Sequence, residues 1–302
     1  MKVALIIPCL NEAEALPRLF EQIRTHLPDA EVHIFDNAST DDTLNIARSH
    51  GAKVHAVIER GKGRVVARMF ADVDADVYVM ADGDGTYDLA ATAQHIRRLA
   101  DEQIDMIVGT RLESYDESAS RKGHKTGNRM LTRLMNCLFR NQLTDVLSGY
   151  RVMSRRFVKT APVMVSGFEI EVMLTIHALD IRCHIAEVPI NYFKRVEGTS
   201  SKLRTLRDGW RILLAMVYFF KEVRPFLFFT LGSLALGLLS LGIGVPVIME
   251  YFETGLVPRF PTAILAASLM IAALISLSCG LILDSVARQR KEVKRLFYLQ
   301  GK

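Results

Sequence analysis

The sequence predicts an α/β domain with a mostly parallel sheet, followed by an interfacial helix and a two-helix transmembrane hairpin. Three observations carry that expectation. Short apolar runs alternate with stretches of helical periodicity in the first third of the chain. Polar residues gather at the ends of those runs. Two long uncharged apolar stretches lie near the end.

Val3 to Pro8 is apolar throughout, as expected of a strand buried on both faces. From Glu12 to Leu27 the apolar positions Ala15, Leu19, Phe20, Ile23 and Leu27 recur at helical spacing. Glu31 to Phe35 reads as a second strand. It enters the polar turn Asp36-Asn37-Ala38-Ser39-Thr40-Asp41-Asp42, whose Thr40, Asp41 or Asp42 is suited to cap a helix running to Ser49. Lys53 to Val57 is a third strand, Gly63 to Ala75 a helix and Val77 to Ala81 a fourth strand. A helix over Leu89 to Asp101 and a strand over Met106 to Gly109 complete the alternation. Ser114 to Gly127 is polar and charged, the composition of a loop, and Leu131 to Phe139 is helical.

In an open parallel sheet, ligands bind beyond the carboxyl ends of the strands. Asn11 and Glu12 follow the first strand, Asp36 and Asn37 the second, Asp82 and Asp84 the fourth, and Arg111 the fifth. All are therefore expected at one edge. Side chains alternate along a strand, so Asp82 and Asp84 share a face. Gly83 and Gly85 let the backbone turn beside them. Two hard oxygen ligands with open positions suit Mg2+ or Mn2+ holding a diphosphate. A polar turn after a buried strand is the plainer alternative.

The chain has 302 residues, half of them hydrophobic. Phe226 to Met249 and Thr262 to Leu283 carry no charge, and each exceeds the ~18 apolar residues of a membrane span. The connector holds Arg259 against Glu250 and Glu253. The tail from Asp284 holds six cations against two acids, which is +4 of the formal +5. The basic balance thus belongs to a juxtamembrane tail and not to a nucleic-acid surface. With Lys221 and Arg224 on the other flank, positive charge places both termini in the cytoplasm. The amphipathic stretch Asp208 to Glu222, with Trp210, Leu213, Leu214, Val217, Tyr218 and Phe219 beside Arg207, Arg211 and Lys221, suits a helix lying on the bilayer. The expected divisions are 1–206, a cytoplasmic domain; 207–224, interfacial; 225–285, two spans; and 286–302, a basic tail. The apolar run at the start is too short for a signal peptide. The four cysteines form no metal spacing, and Cys9 is read as a small buried hydrophobe or a site-lining residue.

Taken in order, the motifs resemble those of family 2 glycosyltransferases with the GT-A fold. Within that family they are similar to the polyprenyl-phosphate branch, which includes dolichyl-phosphate mannose synthase and bacterial undecaprenyl-phosphate glucosyltransferases. The resemblance rests on Pro8-Cys9-Leu10-Asn11-Glu12, Asp36-Asn37-Ala38-Ser39-Thr40-Asp41, Gly61-Lys62-Gly63 and Asp82-Gly83-Asp84. It continues through Gly109-Thr110-Arg111, Asp145-Val146-Leu147-Ser148-Gly149-Tyr150-Arg151 and Arg195-Val196-Glu197-Gly198-Thr199-Ser200-Ser201-Lys202. There are two departures. Thr86 stands where some mannose synthases place a metal-binding Gln, and the segment ending at Lys202 is one residue longer than its shorter form. The Gln-x-x-Arg-Trp motif of processive synthases is absent, so one sugar per encounter is expected.

The resemblance implies transfer of a hexose from a nucleotide diphosphate sugar, UDP-linked by preference, to polyprenyl phosphate, with inversion at the anomeric carbon. Pro8, Leu10, Asn11, Glu12, Asp36, Lys62, Asp82 and Gly83 are expected on the nucleotide sugar, with Asp36 on the base. Asp84 and Arg111 are the expected catalytic residues, and Asp82 and Asp84 hold the metal. Arg111, Arg121, Asp145, Ser148, Arg195 and Lys202 are expected at the acceptor phosphate or diphosphate. The nucleophile's second pKa is about 6, so no strong base is required. The expected setting is a bacterial inner membrane, as a dimer or tetramer. The sugar, UDP against GDP, another lipid acceptor such as diacylglycerol or ceramide, and a non-catalytic nucleotide-sugar-binding role all stay open.

Overall fold

The computed structural model describes residues 1–111, 124–196 and 205–301. They divide into two units. The first comprises Met1–Met216 with Lys294–Lys302, and the second Val217–Val293.

The first unit is built on strands β1 (Val3–Cys9), β2 (Glu31–Asp36), β3 (Lys53–Ala56), β4 (Val77–Met80), β5 (Met106–Thr110), β6 (Arg151–Ser154) and β7 (Ile185–Pro189). They form one sheet in the order β3-β2-β1-β4-β6-β5-β7. All neighbours are parallel except at β6, which runs antiparallel to both β4 and β5. The mostly parallel sheet expected from the alternation is present. Local periodicity misses β6 and β7. β6, of sequence Arg-Val-Met-Ser, has only two apolar residues between polar ends, and it separates β5 from β4.

The central strand β1 is fully buried from Ala4 to Ile7, which explains its unbroken apolar run. The first helix, α1 (Leu16–His26), turns Leu16, Leu19, Phe20 and Ile23 onto the sheet. It starts later than the periodicity suggests, because Glu12 to Ala15 form a turn whose carbonyls receive the first amides. Helices α2 (Thr43–Ser49), α3 (Lys62–Asp72) and α4 (Thr92–Asp101) follow their strands, and α4 too begins after the expected Leu89. From His124 the chain is helical in α5 (His124–Phe139), whereas most of the expected loop lies outside the described residues. Helices α6 (Arg155–Thr160) and α7 (Ile170–Asp180) pack behind β6; α7 is buried nearly all round, Glu171 and His177 included.

His177 yields a stability prediction. Its ring is 4% exposed, and neither nitrogen has a hydrogen-bond partner among the described residues. Burial, reinforced by Lys294 and partly opposed by Asp180, pulls its pKa down to about 4. The unfolded chain would protonate it near 6.5 and so binds more protons between the two values. Stability is therefore complete above pH ~6.5 and falls as the pH drops toward 4, by at most about 3 kcal/mol. Thermal midpoints of wild type and His177→Leu between pH 7.5 and 4.5 check this. The variant should show the shallower decline, and parallel curves would remove His177 as the cause.

Helix α8 (Thr205–Val223) carries two apolar stripes. Ile212, Met216 and Phe220 are buried, while Trp210, Leu214, Val217 and Tyr218 are exposed. Helices α9 (Pro225–Thr254) and α10 (Phe260–Gln300) are each long and apolar enough to cross a membrane, with mean hydropathies of 2.1 and 2.3 over their most apolar windows. They pair antiparallel through small side chains. Ser233 Oγ donates to the Ala273 carbonyl, Ser240 Oγ to that of Ala266, and Ser276 Oγ to that of Phe229. Such contacts suit helices in lipid, where no hydrophobic force drives them together. α10 continues through the basic residues to Gln300.

Candidate active site

Because β1, β2 and β4 are parallel neighbours, the residues that follow them emerge together at one sheet edge. β5 points the same way, and β6 begins there. Asn11, Glu12, Asp36, Asp82, Asp84, Arg111 and the 148–151 turn therefore meet along this edge.

On the β1–β2 side the loops are tied to each other. Asn11, in a left-handed conformation with φ 52°, accepts the Thr40 amide at 2.7 Å and donates its own amide to Ser39 Oγ. The Glu12 amide donates to Thr43 Oγ1. Asp41 serves the turn, accepting from the Ala13 and Thr43 amides. That leaves Asp36 available. Its Oδ2 accepts the Ser39 amide, while its buried Oδ1 accepts no hydrogen bond among the described residues. An unserved buried carboxylate oxygen fits the hydrogen-bond donors of a nucleobase. Asn37, seen earlier only as part of a motif, joins β2 to the Gly61 loop by donating to Val57 and Glu59 carbonyls and accepting the Gly61 amide at 2.7 Å. Pro8 and Leu10, at the end of β1, are half-buried beside this network.

The paired acids are opposed by cations. Lys62 Nζ lies 2.5 Å from Asp82 Oδ1 and 2.6 Å from Glu171 Oε1. Burial disfavours the Lys62 charge, but the two carboxylates outweigh it and hold its pKa well above the usual value. Asp84 is 3% exposed, with Oδ2 2.6 Å from Arg195. Its Oδ1 accepts from the Thr86 hydroxyl at 2.7 Å and the Thr86 amide at 3.2 Å. Burial, then Asp82, raises the Asp84 pKa, and Arg195 and Thr86 oppose the rise. Thr86 thus orients Asp84. The backbone packs closely around the pair. A Cβ on Gly83 would stand 2.6 Å from Cys9 Sγ, and one on Gly149 would stand 2.6 Å from Asp82 Oδ2. Cys9 is buried, and burial followed by the neighbouring acids pushes its thiol pKa far up, so it packs and does not react.

The two acids fit a divalent ion that keeps much of its shell from water and phosphate. The described residues contain no cluster of three His, Cys, Asp or Glu side chains placed to hold one. Lys62 and Arg195 set positive charge against the same two carboxylates.

Arg111 is held by a two-pronged pair with Asp145, Nε to Oδ2 at 2.8 Å and a terminal nitrogen to Oδ1 at 3.0 Å, and it lies over the Tyr192 ring. Asp145 has no exposed surface, and Asn128 also donates to it. Burial would raise its pKa, but Arg111 overrides this and keeps the carboxylate ionised. Asp145, expected at the acceptor, has both oxygens engaged by Arg111 and Asn128. It positions Arg111. Ser148 is likewise buried, its Oγ accepting the Tyr150 amide at 3.4 Å, where it shapes the turn. Arg121 and Lys202 lie outside the described residues. Sequence reasoning missed Glu171, whose signal was a lone acid in the apolar run Ile170–Leu174. It also missed Asn128 and Tyr192, which no local pattern marks.

Fold and edge together define a GT-A-type glycosyltransferase domain. Residues 4–161 match the model of Glycosyl transferase family 2, and the chain belongs to that family. It is 28% identical over 250 residues to the glycosyltransferase AglJ of Haloferax volcanii, covering 82% of this chain and 81% of that one. It is 27% identical over 218 residues to an undecaprenyl-phosphate mannosyltransferase of Micrococcus luteus, covering 66% of this chain and 87% of the relative. Among solved structures, glucosyl-3-phosphoglycerate synthase of Mycobacterium tuberculosis, in complex with Mn2+, UDP and glucosyl-3-phosphoglycerate, superposes with a TM-score of 0.59 at 23% identity. The match covers 72% of this chain and 79% of that one, and shows the common fold.

Proposed function

We propose that this protein transfers a hexose from a nucleotide diphosphate sugar, UDP-linked by preference, to a polyprenyl phosphate in the membrane that anchors it. The observation that carries the reading is the carboxyl edge of the sheet. There the acids Asp82 and Asp84 face the cations Lys62 and Arg195 beside the unserved Asp36 oxygen, in a chain with two membrane-length helices. The Micrococcus relative supports the acceptor class, and the Mn2+ and UDP bound by the structural neighbour support the donor and the metal.

Asp36 takes hydrogen bonds from the base. Asp82 and Asp84 would hold Mg2+ or Mn2+, which when bound offsets charge on the departing diphosphate. Arg111 and Arg195 present guanidinium forks to phosphate. A lipid phosphate oxygen attacks the anomeric carbon from the face opposite the diphosphate. The carbon–oxygen bond to the diphosphate breaks, the nucleoside diphosphate leaves with that electron pair, and the configuration inverts. The phosphate nucleophile is already largely dianionic above its second pKa of about 6, so no proton has to be removed. Two membrane-length helices with positive charge on both outer flanks support a hairpin with both ends on one side of the membrane. The exposed stripe of Trp210, Leu214, Val217 and Tyr218 supports contact between α8 and the bilayer surface.

The test is to incubate the protein in nanodiscs with labelled UDP- and GDP-hexoses and polyprenyl phosphate or diacylglycerol, then extract the lipid. Label is expected on polyprenyl phosphate, to be lost with chelator and restored by Mg2+ or Mn2+. Label on diacylglycerol alone would move the acceptor class, and donor binding without turnover would favour a sensor.

A further inference from the structure

The last turns of α10 return to the catalytic unit and dock on the sheet edge opposite the candidate site. The receptor is Asp105, which has no exposed surface and immediately precedes β5. Its Oδ2 accepts from the Tyr298 hydroxyl at 2.6 Å and from the His184 amide at 3.0 Å, and its Oδ1 accepts from Arg156 at 2.5 Å. Tyr298 is 5% exposed, and its ring meets the guanidinium groups of Arg156, at 5.0 Å, and Arg295, at 4.6 Å. Arg295 also donates to the Ile181 carbonyl at 2.7 Å, just past the end of α7, where carbonyls lack helical partners. Lys294 pairs with Asp180 at 3.2 Å.

The contacts form a built socket. A buried carboxylate receives Tyr298, the end of α7 receives Arg295, and the Tyr298 ring meets two guanidinium groups, all through a single helical stretch. A tail held only by charge to lipid headgroups would need no buried tyrosine. From Asp105, β5 carries the chain to Arg111, six residues on, or ~20 Å at strand rise. The socket therefore cannot touch the reacting groups.

We propose that residues 294–301 are a docking element that binds the catalytic unit to the second end of the hairpin, and that this second attachment governs transfer to an acceptor held in the bilayer. The chain already joins the unit to the hairpin through α8. Adding a second link converts a swinging domain into one with few orientations, which raises the effective concentration of the site at a membrane-bound phosphate. The acceptor half of the proposal rests on the function proposed above; the docking half does not.

The experiment compares three full preparations in nanodiscs: wild type, the double variant Arg295→Ala/Tyr298→Phe, and a chain ending at Val293. Binding of UDP is expected to stay within twofold. Transfer to long-chain polyprenyl phosphate in the disc should fall about tenfold, less than the ~10²–10⁴ of a full second attachment because the link through α8 remains. Transfer to a short, water-soluble prenyl phosphate should fall less than twofold. Undiminished transfer to the embedded lipid, or an equal fall with both acceptors, overturns the positional role. Hydrogen exchange reports on the docking itself. Amides of 181–184 and 294–301 should be protected together in wild type, and 181–184 exposed in both variants. Rapid exchange of 294–301 in wild type overturns the docking. Should wild type glycosylate neither acceptor, the proposed function fails, and the exchange data still decide the docking.

Discussion

Asp84→Asn is expected to lower sugar transfer by about 10²- to 10³-fold, the scale of losing one preorganised electrostatic contact to a developing charge. The substitution keeps the shape and leaves an oxygen for the Thr86 hydroxyl and amide. It removes the charge that pairs with Arg195 and that would face a divalent ion. Folding should survive. Burial and Asp82 already disfavour the ionised carboxylate, and the Arg195 side chain, 32% exposed, can turn to water once the pair is lost. Transfer assays across a range of Mn2+ concentrations, with thermal midpoints alongside, separate the two effects. Activity within threefold of wild type at an unchanged midpoint would take Asp84 out of the chemistry. An equivalent fall in both activity and midpoint would make it a structural residue.

Arg151→Met should produce the largest loss of stability. Arg151 opens β6 with no exposed surface, and it donates to the carbonyls of Ser148, Val146 and Glu171 and to Thr175 Oγ1. Burial draws its pKa down to about 10, an effect limited by Glu171 and Asp145, so it remains charged at neutral pH. A methionine fills the space but takes the guanidinium donor from the Ser148 and Val146 carbonyls, while the Glu171 carbonyl keeps the Thr175 hydroxyl; with the buried charge also lost, the cost is about 3–5 kcal/mol. At about 2–4 °C per kcal/mol for a domain of this size, the thermal midpoint should drop by roughly 10 °C. The consequence reaches the site, because the side chain ties the turn against Asp82 to the helix that carries Glu171. A shift under 2 °C would mean that water serves these acceptors in its place.

Much of the site could be read without coordinates, for a physical reason. In a parallel α/β sheet each strand reports its own carboxyl end, and a local change from apolar to polar marks the edge. Asp36, Asp82, Asp84 and Arg111 were legible on that basis. The partners of these residues were not. Lys62 meets Glu171, Arg195 meets Asp84, and Tyr298 meets Asp105 across long stretches of chain. No window of sequence contains both members of any such pair. Nor did the motif around Asp145 and Ser148 reveal that both are buried and that Asp145 pairs with Arg111.

Apolar periodicity sufficed to set out the alternating elements, the acidic pair after β4 and the two membrane-length helices, since each depends on neighbours within a few turns or one strand. Long-range packing was needed to insert β6 antiparallel between β4 and β5, to set a cation against each acid, and to bring the end of α10 back to Asp105. Those arrangements arise from burying charge, which is tolerable only when a partner arrives from elsewhere in the fold.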